Sequence, residues 1–326
     1  MRNNKDIEKK YFFAISIPTR NRSEFLKSGI ISQLSKMKEL NIGIYVFDNS
    51  DDDLTKDLII PYLKEYKNLF YSKNKKILAY GENTSQAFII PNAEYLLVMS
   101  DSLILDINYL NEIIEILKNK NLDFLILNND RVKDQQNKEY IDKLEFFKEL
   151  TWHCTLIGST IFSSDLIKIA KEKDIFLKYE KSDFIQLGVL FESLNYKKEI
   201  YGIFLSKLLL KRNSLKKVSY WKKNTFDVFG YKWIQFIESL PNNYNKYKKE
   251  VILSHGIKSG LFNLRGFLIL RIEKIFGINE YKKYRNIFYK ITNINSINLF
   301  IISIIPVSVL KILRKIYQLM KGMKKI

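Results

Sequence analysis

The chain has 326 residues, 46% hydrophobic and 27% charged, which is enough for two cores or one enlarged α/β domain; twelve glycines and five prolines exclude collagen-like and linker-like sequence. One cysteine, Cys154, excludes a disulfide scaffold and any cysteine-held zinc or iron–sulfur centre, and two widely separated histidines, His153 and His255, exclude a histidine-rich metal cluster; the usage suits a reducing compartment. The formal charge of +19 is unevenly placed: of 54 basic and 35 acidic residues, 30 of each lie in residues 1–210, leaving 24 against 5 in residues 211–326.

The first ten residues are charged and lack an apolar stretch, so no secretory signal is expected. Residues 11–18 form a β-rich apolar run ended by Pro18 and read as a buried strand. Ser23 then caps one helical pattern through Phe25, Leu26, Ile30, Ile31, Leu34 and Met37. Residues 42–47 are a second buried strand stopped by Asp48-Asn49-Ser50, 54–66 a second amphipathic helix and 68–72 a short strand. Residues 95–99 are a further buried strand ending in Ser100-Asp101-Ser102, followed by a helix over 107–117 and a strand over 124–127. Short apolar strands alternating with amphipathic helices predict an α/β fold, a mostly parallel sheet with helices on both faces. Ligands of such sheets sit outside the carboxyl ends of the strands. The polar residues after each strand, 19–22, 48–53 and 101–102, are therefore the candidate site.

Several chemistries are absent. No two glycines lie closer than four positions apart, so there is no G-x-G-x-x-G and no Walker A loop, and no G-x-S-x-G elbow exists. A Rossmann dehydrogenase, a P-loop enzyme and an α/β-hydrolase are thereby disfavoured. The strand ends offer carboxylates and a Pro-Thr-Arg-Asn-Arg turn instead.

Those strand ends carry a resemblance. Ala14-Ile-Ser-Ile-Pro-Thr-Arg-Asn-Arg22, Val46-Phe-Asp-Asn-Ser-Asp51 and Tyr95-Leu-Leu-Val-Met-Ser-Asp101, with Asn74, Gly81 and Asn83 between them, follow the order and spacing of the family 2 glycosyltransferases. The resemblance covers residues 10–130 well, 150–200 faintly and the last third not at all. It implies a GT-A fold and inverting transfer of a sugar from a nucleotide-sugar donor, a UDP-sugar first. It places Asp48 on the nucleobase, Thr19 and Arg22 on ribose or phosphate, and Pro18, Arg20, Ser50 and Asn83 in the same donor site. Asp48 is also suited to a strand-end Asx turn.

Asp101 and Ser102 stand where the family carries its Asp-x-Asp metal motif, which holds Mg²⁺ or Mn²⁺ against the diphosphate. Ser102 and Leu103 replace acids there, which leaves two routes: Asp101 holds a divalent metal with help from the diphosphate and water, or Lys and Arg take over. Asp106 is expected to start the next helix. For the general base the resemblance points to a carboxylate at a helix start in the second half: Asp183, ahead of the helical run 187–194, with Glu180 as alternative. Trp152 suits either an acceptor-facing aromatic or core packing, and His153 a hydrogen-bonded structural role.

The organisation expected is a glycosyltransferase domain over 1–215, a basic helical extension over 216–290 and a membrane-associating tail over 291–326. Residues 291–310 contain no charge, and 311–326 carry six Lys or Arg and no acid, with Ile312, Leu313, Ile316, Leu319 and Met320 at helical spacing. That pattern describes a helix lying on an anionic membrane, with the protein on the cytoplasmic face as a peripheral enzyme of surface-glycan assembly. The expected partners are the donor, a glycan or lipid-linked acceptor and the membrane; no nucleic-acid motif accompanies the basic tail. A non-catalytic subunit of the same fold, recruited by its tail, is the alternative.

Overall fold

A computed structural model describes residues 10–323, apart from 130, 134, 218 and 220. The chain divides into two compact units, one of Met1–Lys217 with Leu240–Tyr244, the other of Val218–Ser239 with Asn245–Ile326.

The first unit holds β1 (Tyr11–Thr19), α1 (Ser23–Ser28), α2 (Leu34–Glu39), β2 (Gly43–Asp48), α3 (Leu54–Glu65), β3 (Leu69–Lys73), α4 (Tyr80–Ile89), β4 (Ala93–Val98), β5 (Leu103–Leu105) and α5 (Leu110–Asn119). It continues with β6 (Phe124–Asn129), β7 (Lys138–Tyr140), α6 (Lys143–Cys154), β8 (Thr160–Ser163), α7 (Ser164–Glu172), α8 (Ile175–Tyr179), α9 (Ile185–Asn195) and β9 (Gly202–Arg212). The strands form one sheet in the order β3-β2-β1-β4-β8-β6-β9-β5, with β7 paired to β9. The β3-β2-β1-β4 half is parallel throughout; β8, β5 and β7 enter antiparallel. The expected α/β fold is thus present.

Both faces of the sheet are covered, which is why its strands are continuous apolar runs. Phe13, Ile15, Ile17, Leu97, Leu125 and Ile161 turn to one face and join Leu26, Met37, Ile59, Leu110 and Ile113 of the helices. Their strand neighbours turn to the other: the Phe162 ring meets Phe88 of α4, and Phe124 stacks on Phe146 of α6.

The single helix expected from Ser23 is broken. α1 stops at Ser28, a 3₁₀ turn spans Ile31–Gln33 and α2 restarts at Leu34; Arg22, not Ser23, is at the cap position, with no side-chain cap bond. The break falls at Gly29, where an added Cβ would lie 2.9 Å from the Phe25 carbonyl. Helix α4 was not foreseen, because its sequence is polar and short of apolar periodicity. Asp106 starts its helical segment as expected, accepting from Asn108 N at 3.2 Å.

The second unit contains α10 (Trp233–Ser239), α11 (Asn245–Lys258), α12 (Leu264–Ile272), α13 (Ile278–Ile291), α14 (Ser296–Ile304) and α15 (Val307–Met323). Its core is aromatic: Phe226 stacks against Phe262 and Tyr284, and Phe267 meets Phe276 and Phe288. The charge-free stretch 291–310 is not one helix. Asn295 caps α14, Pro306 separates it from α15, and the two helices are bent by 97°. Among the described residues no single helix is long and apolar enough to cross a membrane.

Candidate active site

Parallel pairing of β2, β1 and β4 brings three strand tips side by side. Thr19 is in register with Asp48, and Met99 N donates to Ser16 O at 2.8 Å, carrying β4 on toward Asp101. Thr19 Oγ1 then donates to Asp101 Oδ2 at 2.8 Å. Thr19, beside Asp48 in the ladder and bonded to Asp101, therefore links the two strand tips that carry these buried carboxylates.

The two carboxylates are held differently. Asp48 accepts from Ser50 N on Oδ1 at 2.9 Å, an Asx turn, and from the Tyr71 hydroxyl on Oδ2 at 2.6 Å; both donors are neutral, and each oxygen retains a lone pair. Burial, followed by this bond to Asp48, pushes the Tyr71 phenol well above its usual range. Asp101 instead takes a cation: Arg22 Nη1 lies 3.0 Å from Oδ1.

The loops after β1 and β2 are knitted together. Asn21 sits at φ 54°, a left-handed conformation that asparagine tolerates. Its amide donates to Ser50 Oγ at 2.8 Å and its side chain to Asp51 Oδ2 at 2.7 Å. Arg20 turns outward to an exposed pair with Asp51 at 3.4 Å, so its side chain is engaged at the surface. Pro18 is a half-buried ladder position opposite Phe47.

Asn83 is buried and engaged with protein: its Oδ1 accepts from Asn74 at 2.9 Å and its amide donates to Phe47 O at 3.4 Å. Asn74 also reaches Asn49, whose side chain pairs in both directions with the Leu78 backbone. This asparagine network fixes the start of α4 beside the tip of β2. Gly81 explains the glycine in the motif. A Cβ there would lie 1.6 Å from Glu180 O, so only glycine lets the 180–183 segment approach α4.

Asp183 follows in that segment, half-buried, two residues before α9. Tyr80, the first residue of α4, reports its surroundings. The residue is 42% exposed, yet desolvation, opposed by a bond with Thr84 and followed by the charges of Asp183 and Asp101, pushes its phenol up to about 12.

On the far side of Asp101, Ser102 Oγ meets Ser100 Oγ and Lys216 Nζ, each at 2.8 Å. Lys216 belongs to a turn after β9 held by Asn213, whose amide donates to Ser102 O at 2.9 Å and whose side chain donates to Ser28 Oγ at 2.8 Å. Burial first, and then Arg22 and Arg212, hold Lys216 below the usual lysine range; Asp101 pulls the other way and Arg131 adds to the lowering. Arg131 follows β6, over the Trp152 ring at 5.9 Å. Its Nη1 is shut off from solvent and has no hydrogen-bond partner among the described residues. Neither Lys216 nor Arg131 stands out in the sequence; each lies in a polar stretch beyond a strand end that only the β5–β9 and β6–β9 pairings bring home.

A divalent cation prefers six or more oxygen ligands with carboxylates among them. Asp101 is the motif's one carboxylate, and its oxygens already accept from the Thr19 hydroxyl and from the Arg22 cation, so its charge is answered within the protein. Among the described residues, no three His, Cys, Asp or Glu lie together to hold a metal. The residues present do not fit a resident Mg²⁺ or Mn²⁺ site.

His153 is fully buried and bonds Leu127 O at 3.0 Å through Nε2, which must therefore carry the proton. Burial, aided by Arg131 and opposed by that bond, pushes it down to about 4, so it is neutral and structural. Trp152 is buried in α6. Burial pushes the Cys154 thiol up to about 12, which removes it as a nucleophile. In the second unit His255 stacks on Phe229 at 4.8 Å and lies against Trp233 at 4.7 Å.

The family model described as Glycosyl transferase family 2 matches residues 14–175, about half of the chain. No curated protein matches the sequence. Among solved structures, TarS 1-349 from S. aureus in complex with UDP-GlcNAc is 16% identical with a TM-score of 0.54, covering 84% of this chain and 78% of that one. The same protein in complex with UDP is 15% identical with a TM-score of 0.53, covering 79% and 74%. The mannosyltransferase PcManGT from Pyrobaculum calidifontis, in complex with GDP-Man and Mn²⁺, is 9% identical with a TM-score of 0.50, covering 86% and 84%. At these identities the likeness is one of fold.

Proposed function

With the chain belonging, through residues 14–175, to glycosyl transferase family 2, we propose that it moves a sugar with inversion from a nucleotide sugar to a hydroxyl of a glycan or lipid-linked acceptor. The observation that carries this reading is Thr19, in register with Asp48 and bonded to Asp101, which makes one site of two strand tips. The Asp48 carboxylate accepts an N–H of the donor's base; a uracil suits it, and the complexes of TarS with UDP and UDP-GlcNAc support that choice. Thr19 and Arg22 flank the ribose and phosphate path.

In the reaction the acceptor oxygen bonds to the anomeric carbon while the bond from that carbon to the diphosphate oxygen breaks, its electron pair leaving with the phosphate. Asp183 takes the acceptor's proton. Attack opposite the leaving group inverts the centre. That both Asp183 and Asp101 bear electrostatically on Tyr80 supports a base close to the donor end.

The C-terminal helices support a peripheral membrane location on the cytoplasmic side. Ile297, Phe300, Ile301 and Ile304 of α14 are exposed at helical spacing, and so are Val309, Ile312, Leu313 and Ile316 of α15. Leu299 and Ile302 face inward, and Lys311, Arg314 and Lys315 flank the second stripe. An apolar stripe edged by cations is the arrangement of an interfacial helix.

Incubating the full-length chain with a panel of UDP- and GDP-sugars on anionic vesicles tests the reading. Donor hydrolysis or transfer is expected, with Asp183→Asn lowering turnover about a hundredfold while nucleotide affinity stays within twofold. No turnover with any donor, despite nucleotide binding, favours the non-catalytic alternative. Failure to co-sediment with anionic vesicles sinks the membrane assignment.

A further inference from the structure

We infer that Lys216, Arg131 and Arg22 form a cationic clamp that takes the donor's diphosphate and the charge it develops on leaving, in the place where the family's motif holds a divalent cation. The inference rests on the nucleotide-sugar reading above and names how that site binds its most charged part.

The carboxylate and hydroxyl of Asp101-Ser102 each carry a cation: Arg22 on Asp101 Oδ1 at 3.0 Å and Lys216 on Ser102 Oγ at 2.8 Å. The position of a metal's ligands is thus taken by side chains of the sign a metal would supply. Arg131 and Arg212 are close enough for their charges to bear on Lys216, so the cations around Asp101 outnumber it. Packing like charges together is unfavourable without an anion among them. Arg131 gives the second, independent sign: a guanidinium nitrogen sealed from water with no acceptor among the described residues costs free energy, and phosphate oxygens would satisfy it.

The clamp is also built rather than draped. Lys216 N donates to Asn213 O at 3.0 Å, Asn213 is bonded to Ser102 and Ser28, and Arg212 bonds the Lys216 carbonyl. Fixed cations near a leaving diphosphate stabilise its charge with little reorganisation. The electron pair of the breaking bond then comes to rest on an oxygen held by Lys216 and Arg131.

Calorimetry on the full-length chain with inorganic pyrophosphate, UDP and GDP, each in EDTA and in Mn²⁺, tests the clamp. Pyrophosphate and one nucleotide should bind in EDTA within about threefold of their affinity in Mn²⁺, and the binding should weaken steeply with salt. Lys216→Ala and Arg131→Ala should each weaken pyrophosphate at least tenfold, and Lys216→Arg should restore most of it. Binding that requires Mn²⁺, or that both alanine variants leave unchanged while their melting temperatures match the parent's, overturns the clamp even if nucleotides bind. Pyrophosphate held in EDTA while neither nucleotide binds keeps the clamp and removes the nucleotide-sugar reading.

Discussion

Two aspartates, one at the tip of β2 and one just beyond β4, the strands that flank β1, look interchangeable in sequence and are not. Asp48 is gripped by neutral donors, a backbone amide and a tyrosine hydroxyl, so its negative charge remains available to a ligand. Asp101 is gripped by Arg22 and lies beside Ser102 with its lysine, so its charge is largely answered by the protein. One tip therefore suits a hydrogen-bond donor such as a nucleobase edge, and the other a polyanion. Both are buried; the partners set the sign of the site.

The largest break in this comparison comes at the first tip. Asp48→Ala should weaken UDP binding about a hundredfold or more while leaving pyrophosphate affinity unchanged, and calorimetry with both ligands checks it. Stability should also fall, since Ser50 N–H and the Tyr71 hydroxyl lose their acceptor at about 1–3 kcal/mol each. Equal loss of both ligands would mean the two tips do not divide the work.

A smaller effect is expected from Gly81→Ala. The new methyl group meets Glu180 O, and overpacking of this kind costs about 1–3 kcal/mol. Displacing the 180–183 segment moves Asp183 but neither strand tip, so turnover should drop about tenfold with UDP affinity preserved. Steady-state rates beside binding isotherms separate the two.

The smallest effect belongs to Arg20→Ala. Its pair with Asp51 is exposed, and exposed pairs contribute little. UDP affinity should change less than twofold and the melting temperature by about a degree, in contrast to Arg22→Ala, which unpairs the buried Asp101. A large loss of UDP binding at Arg20 would put that side chain back in the donor site.

Much of this architecture is written in local sequence. Continuous apolar runs identify buried strands, and the polar residues after each run mark the sheet's ligand-binding edge, so Thr19, Asp48 and Asp101 are named together. Other local readings needed correction. A strong apolar spacing from Ser23 to Met37 hid the break at Gly29, whose backbone conformation no side-chain pattern reports. The polar sequence of α4 concealed a helix because its amphipathic stripe is narrow and its buried face includes Asn83, Thr84 and Ser85. Tyr244 returns from Leu240–Tyr244 to donate to Phe191 O at 2.8 Å, an excursion no linear charge pattern announces.

The sequence by itself determined the layered α/β architecture, the identity of the strand-tip aspartates and the basic character of the last third, because each follows from periodicity or composition within a short window. Only the tertiary structure decided which partner each aspartate received. Lys216 is 114 positions from Ser102, and Arg131 reaches the site through the ladder of β6 on β9. Contacts closed across such distances depend on which strands pair and in what register, and a side chain's charge in a site is set by neighbours that the chain brings in from far away.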